Sequence, residues 1–144
     1  MQGLAEERLI GAVGYVACTK RAFDLTRDFV IERKAFRQRI ADFQNTRFKL
    51  AELSTEIDMA QVYIDHCVQM HNQGRLSGDM AAKAKLYCSE LEGRMMDEGV
   101  QLHGGAGYMD EYEICRLYTN ARISRIYAGS SEIMKEIIAR SIFD

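Results

Sequence analysis

The chain contains no proline. Proline normally supplies about one residue in twenty and collects in turns and loops. A chain without it has few turns and long uninterrupted elements. With only 11 glycines among 144 residues, an all-β sandwich, which turns every ~8–12 residues, is excluded.

Apolar residues recur with a helical period. Leu50, Leu53, Ile57, Ala60, Ile64 and Cys67 step by threes and fours, as do Ala81, Ala84, Cys88, Leu91 and Met95. Leu9, Val16, Phe23 and Val30 fall at sevens, with Val13 beside them. Residues so spaced form a stripe along one side of a helix and leave charged residues to solvent. Sustained over many turns, the pattern favours long, nearly antiparallel packing. Three breaks divide the stripes. In His71–Gly78, Gly74 is placed to end one helix and Ser77 to cap the next. Gly104-Gly105-Ala106-Gly107 is the second break. Ala128-Gly129-Ser130-Ser131 is the third, with Ser130 suited to cap the last helix. A weaker break lies around Phe36 to Asp42. These signals predict helices over 4–34, 42–73, 78–103, 111–123 and 130–141. The fold expected is all-α, an up-and-down four-helix bundle with an additional short C-terminal helix, in one domain spanning 1–144 without repeat or linker.

Several function classes fall away. Nineteen basic against twenty-one acidic residues give a net charge of −2, which disfavours nucleic acid, because a phosphate backbone demands a concentrated positive surface. No run approaches the roughly 18 apolar residues of a membrane span. Glu6 and Glu7 stand where a signal or transit segment would be basic. Cys18, Cys67, Cys88 and Cys115 lie far apart among apolar residues, so zinc and thioredoxin-type chemistry fail. Buried, reduced thiols in a reducing compartment are expected instead. Di-iron bundles need Glu three residues before His. Tyr63, Val68 and Val100 occupy those positions before His66, His71 and His103, and no metal site is expected. His103 reads as a satisfied histidine at a helix end.

Three segments admit both a structural and a functional reading. The Gly104–Gly107 break is neither a Walker loop nor a dinucleotide fingerprint, since no strand precedes it. Glycine nonetheless lets a backbone approach a ligand closely, and the Gly129-Ser130-Ser131 break opens a helix whose free N–H groups could hold an anion. Arg33, Lys34, Arg37 and Arg39 either complement a helix dipole or meet a diphosphate. Glu6 and Glu7 suit the positive end of the first helix.

Five segments, in order and spacing, resemble the C-terminal domain of acyl-CoA dehydrogenases. They are Glu7-Arg8-Leu9; Arg33-Lys34-Ala35-Phe36 followed by Phe43-Gln44; Leu50-Ala51-Glu52-Leu53; Gln101 through Tyr108; and Ile126 through Ile133. The resemblance runs from Leu4 to the last helix. It implies a flavoenzyme whose N-terminal helical and middle β domains are missing from this chain. It implies FAD-dependent oxidation of an acyl-CoA to the trans-2-enoyl-CoA, with electron-transferring flavoprotein as acceptor. It also implies a homo-dimer or homo-tetramer built through the bundle, in a bacterial cytoplasm or a mitochondrial matrix.

By the same resemblance, most of the family carries the proton-abstracting Glu just before the last break, where this chain has Ala128. The long-chain and isovaleryl-CoA subgroups place it on the first helix before an Arg, which makes Glu7 the base. Arg8, Tyr127 and Gly129 correspond to substrate-site residues. Arg33, Phe36, Gln44, Gln101, Gly104, Gly105, Ser130 and Glu132 correspond to residues that hold FAD. Arg37 departs from the glycine usual after the Phe. The isolated chain is expected to be inactive. The rival readings are a non-catalytic helical oligomerisation module and a related oxygen-using flavin enzyme.

Overall fold

A computed structural model describes residues 2–143. Helix α1 (Gln2–Glu32) leads through a two-stranded hairpin, β1 (Lys34–Ala35) and β2 (Gln38–Arg39), and a short 3-10 turn (Ile40–Asp42) into α2 (Gln44–Asn72). Helix α3 (Gly78–His103), a 3-10 turn (Gly104–Tyr108), α4 (Glu113–Ala121), a second 3-10 segment (Arg122–Arg125) and α5 (Ser131–Phe143) complete the chain. The all-α bundle with a short terminal helix is as expected.

The stripes make the core. Leu53, Ile57, Ala60, Ile64 and Cys67 of α2 are buried, as are Ala81, Ala84, Cys88, Leu91 and Met95 of α3. On α1, Leu9, Val16 and Val30 are buried, but Val13 is exposed. The inward face of α1 instead runs through Ala12, Thr19 and Thr26. Their two hydroxyls are tolerated inside because each donates to a carbonyl one turn back, Thr19 to Tyr15 at 2.6 Å and Thr26 to Ala22 at 2.7 Å. Helix α3 is the centre of the bundle and packs on α1, α2, α4 and α5. It can do so because it buries a second stripe, Ala82, Lys85, Ser89, Glu92, Met96, Gly99 and His103, at the same helical period. Gly99 permits the close approach: a Cβ there would lie 2.8 Å from Ile114 Cδ1 and 3.0 Å from Thr26 Oγ1.

The breaks behave as their residues dictate. At the end of α2, the Gly74 N–H donates to His71 O at 2.9 Å and the Arg75 N–H to Met70 O at 2.8 Å, with Gly74 at φ +68. That pairing closes a helix on a left-handed residue. Ser77 then caps α3 by accepting from the Met80 N–H at 3.4 Å. Some boundaries differ from expectation. Helix α1 stops at Glu32 and α2 starts at Gln44, because the hairpin and its 3-10 turn occupy the residues between. Consequently Lys34, Arg37 and Arg39 lie in the hairpin beyond α1, and only Arg33, whose N–H donates to Phe29 O at 2.8 Å, remains at its end to complement the dipole. Since α1 begins at Gln2, Glu6 and Glu7 lie past its first turn and lose that role too. Helix α4 is shorter than expected, its last turn tightening to 3-10, and α5 continues to Phe143. All four cysteines are free thiols; Cys67, Cys88 and Cys115 are buried and Cys18 half-buried. No described helix is long and apolar enough to cross a membrane.

Candidate active site

The residues singled out in the sequence gather at two opposite ends of the bundle. At one end the start of α1 meets the last break. Arg8 reaches across the chain and its Nε donates to Ala128 O at 3.4 Å. Glu7, next to it, is exposed, and no hydrogen bond or ion pair ties it to another described residue. Ala128 and Gly129 both adopt positive φ, +55 and +104. For alanine this is a sparsely populated conformation. At φ +104 a side chain on Gly129 would be strained, and its Cβ would sit 2.6 Å from Met134 Cε, so glycine is favoured here. Tyr127 presents its ring edge-on to Tyr15, centroids 6.2 Å apart. Ser130 precedes α5, and its carbonyl accepts from the Met134 N–H at 3.0 Å. Its hydroxyl bonds the Glu132 carboxylate, holding that group below the usual carboxylate range.

Behind the break, α3 supplies three polar attachments that sequence reasoning missed. Lys85 Nζ donates to Gly129 O at 2.7 Å. Glu90 accepts from Ser131 Oγ at 2.6 Å and lies 3.5 Å from the Arg125 guanidinium. Glu92 accepts from Ser124 Oγ at 2.5 Å. Burial lowers the pKa of Lys85. It pushes Glu92 up to about 7 against the opposing pull of Ser124 and Arg125. The available signal was positional: Lys85 and Glu92 lie three and ten residues after Ala82, on the helical period.

At the other end, a cavity of about 520 Å³ is lined by Arg33, Gln101, Gly104 and Gly105, together with Phe29, His103 and Tyr112. Gly104 takes φ +61, and a Cβ on Gly104 or Gly105 would meet no atom within 4 Å. The two glycines thus keep backbone bare toward the cavity. A guanidinium, a carboxamide and unobstructed peptide groups form a donor set suited to the pyrophosphate of a dinucleotide. FAD therefore fits the residues present here. His103 is the satisfied helix-end residue expected: its Nδ1 donates to Gly99 O at 2.7 Å and its ring stacks on Phe29 at 4.2 Å. Burial lowers its pKa, which favours the neutral ring. Phe36 and Gln44 are not among the lining residues. Phe36 is 91% exposed at the tip of the hairpin, edge-on to Phe43 at 6.4 Å, and Gln44 is exposed at the start of α2.

Among the described residues no cluster of three or more His, Cys, Asp or Glu could hold a metal ion. One end of the bundle thus carries an exposed carboxylate, Glu7, on the same stretch of α1 whose Arg8 is bonded to the tight glycine turn, and the other carries a cavity with the donors of a dinucleotide cradle.

Comparison with known proteins places the chain by sequence and by fold. The family model described as "Acyl-CoA dehydrogenase, C-terminal domain" matches residues 1–143. The mitochondrial long-chain specific acyl-CoA dehydrogenase of Sus scrofa is 46% identical over 142 residues, covering 99% of this chain and 33% of that protein. An acyl-CoA dehydrogenase from Geobacillus kaustophilus superposes with a TM-score of 0.97 at 40% identity, over 100% of this chain and 38% of that one. An acyl-CoA dehydrogenase complexed with FAD, from Bacillus anthracis, gives a TM-score of 0.90 at 30% identity, over 96% of this chain and 27% of its own. The chain spans about a third of the length of the relative from Sus scrofa. By sequence and fold together, it belongs to the acyl-CoA dehydrogenase family, as that family's C-terminal helical domain.

Proposed function

We propose that this chain is the C-terminal part of an FAD-dependent enzyme that oxidises an acyl-CoA to the trans-2-enoyl-CoA, with Glu7 as the base. The observation that carries the reading is the meeting of α1 with the last break. Arg8 is bonded to Ala128 O, which ties the first turns of α1, where Glu7 stands, to a turn whose own side chain, a methyl, can accept no proton. In most of the family that turn would itself supply the carboxylate; here α1 is the remaining source.

The α-carbon of a thioester is a weak acid, so its proton leaves only toward a base held within reach while the carbonyl is polarised. Glu7 takes that proton. Arg8 holds the turn against α1, Gly129 lets the backbone come close to the substrate, and Tyr127 and Tyr15 form an aromatic wall beside it. FAD, when bound, supplies the acceptor for the hydride leaving the β-carbon. Ser130 and Glu132 would contact that cofactor at this end, and Arg33, Gln101, Gly104 and Gly105 would hold the diphosphate portion of a second FAD at the other, with Phe36 and Gln44 the further contacts that the family resemblance implies. Glu7 is exposed in this chain, and the surface that dries its surroundings would come from the other two thirds of the relatives' length.

The two ends lie roughly 37 Å apart along α1, at 1.5 Å per helical residue. One cofactor molecule cannot be gripped at both, which supports a homo-dimer or homo-tetramer in which each chain braces its partner's FAD. Electron-transferring flavoprotein is the proposed electron acceptor. The free thiols are consistent with a reducing compartment, a bacterial cytoplasm or a mitochondrial matrix.

In the FAD-loaded enzyme, Glu7→Gln should abolish acyl-CoA turnover, a loss of at least about 10³-fold, while the flavin stays bound. Near-normal turnover would refute the assignment. The isolated chain is expected to show no dehydrogenase activity, which leaves the helical oligomerisation module as a description of its behaviour alone. The exposed Phe36, Val62 and Met59 favour that second reading.

A further inference from the structure

Lys85 is the largest fully buried side chain among the described residues, with 0% of its surface exposed. Burying an ammonium is costly unless it is paired, yet no described carboxylate lies within ion-pair distance of it. Its hydrogen bond goes to a backbone oxygen, Gly129 O at 2.7 Å. The charges that act on it come from Glu90 on its own helix, Glu132 on α5 and Arg8 on α1. Packing alone would be served better by leucine or methionine. The ammonium is therefore placed for what it holds.

What it holds is one of two adjacent carbonyls, each drawn inward by a cation from a different helix. Arg8 of α1 takes Ala128 O and Lys85 of α3 takes Gly129 O. The described peptide bonds include no cis unit, and across a trans peptide the C=O of one residue and the N–H of the next point in opposite directions. Directing these two oxygens into the bundle therefore directs the N–H groups of Gly129 and Ser130 away from it. Neither N–H donates to another described residue. The other face of Gly129 is closed by Met134. Glycine takes a positive φ freely, but the alanine at φ +55 persists there only because its surroundings impose it, and the two cations hold the carbonyls on either side of the Ala128–Gly129 link.

We propose that Lys85 is a positioning residue of the acyl-CoA site, holding the Ala128–Ser130 turn so that the N–H groups of Gly129 and Ser130 stay aimed at a carbonyl oxygen of the bound ligand. The inference rests on the acyl-CoA reading above. Its action is indirect, through the turn: donors fixed in advance stabilise developing negative charge on that oxygen without reorganising during the reaction. The oxygen belongs either to the substrate thioester or to the flavin, and the two sources give different signals.

The test has two arms. In the 144-residue chain, 15N relaxation should report order parameters near 0.85 for the Gly129 and Ser130 amides, falling below about 0.6 in Lys85→Met. In the FAD-loaded enzyme, Lys85→Met should lower kcat at least tenfold with KM changed less than threefold. A bound 3-arylacryloyl-CoA should lose the red shift of its absorption if the thioester is the acceptor; the flavin spectrum should shift instead if the flavin is. Lys85→Arg, which keeps a charged donor, should recover most of the kcat. Should Lys85→Met fail to fold, Lys85→Gln takes its place with the same expectations. Unchanged order parameters and a kcat within twofold of wild type would overturn the proposal, as would equal losses in the Met and Arg variants. A wild-type enzyme that does not oxidise acyl-CoA would refute the functional reading, while the relaxation arm would still judge the role of Lys85 in the turn.

Discussion

Glu92 carries a carboxyl into the middle of the bundle, where it accepts from the Ser124 hydroxyl and feels the charge of Arg125. Its pKa of about 7 lies above the value of 4.5 for a free side chain, so between those two values the folded protein binds a proton that the unfolded chain has lost. Stability should be highest below about pH 4.5 as far as this group is concerned, and should fall as pH rises to 7, by on the order of 3 kcal/mol at about 1.4 kcal/mol per unit. Urea denaturation at pH 5 and pH 8 measures the difference, and Glu92→Gln should shrink it. The residues of this kind were the least legible in the sequence. The stripe Ala81, Ala84, Cys88, Leu91 and Met95 announces itself because all five are apolar or small. Ala82, Lys85, Ser89, Glu92, Met96, Gly99 and His103 obey the same period with equal burial, but the charges in it imitate a solvated face. Only knowledge of what packs opposite separates the two. The positions tied to the last break were legible for a different reason: their order and spacing match a family, and the contact of Arg8 with Ala128 needs no subtle register.

Helix ends were read well wherever a residue dictates its own backbone. Gly74 and Ser77 stop and start α2 and α3 through specific hydrogen bonds. The hairpin escaped notice because its turn residues are poor for their conformation. Lys34 pairs with Arg39 and Ala35 with Gln38, leaving Phe36 and Arg37 as a two-residue turn with both φ positive, +50 and +68. That is the sign pattern of a type I′ turn, for which Asn-Gly is the usual signal. Arg37 stands where the family commonly has glycine, and it makes no hydrogen bond or ion pair with another described residue. A left-handed non-glycine residue is disfavoured by roughly 1–2 kcal/mol, while glycine gives back about 0.5–1 kcal/mol in the unfolded chain. Arg37→Gly should therefore stabilise the domain by about 0.5–1 kcal/mol. The midpoint of urea unfolding should move upward with its slope unchanged.

At the scale of the molecule, the long rigid α1 divides the chemistry between two ends. One bears Glu7 and the last break; the other bears Arg33 and the glycine cradle. If the far end serves a neighbour's cofactor, a defect at either end harms a different copy of the reaction. Each of the variants Glu7→Gln and Arg33→Ala, prepared alone in the FAD-loaded enzyme, should be crippled in every site. Mixed dimers of the two should regain one intact site apiece, with the base drawn from the Arg33→Ala chain and the guanidinium from the other. Activity restored on unfolding and refolding the two inactive proteins together would be complementation in a test tube; activity that stays at the level of the parents would mean that each polypeptide works for itself.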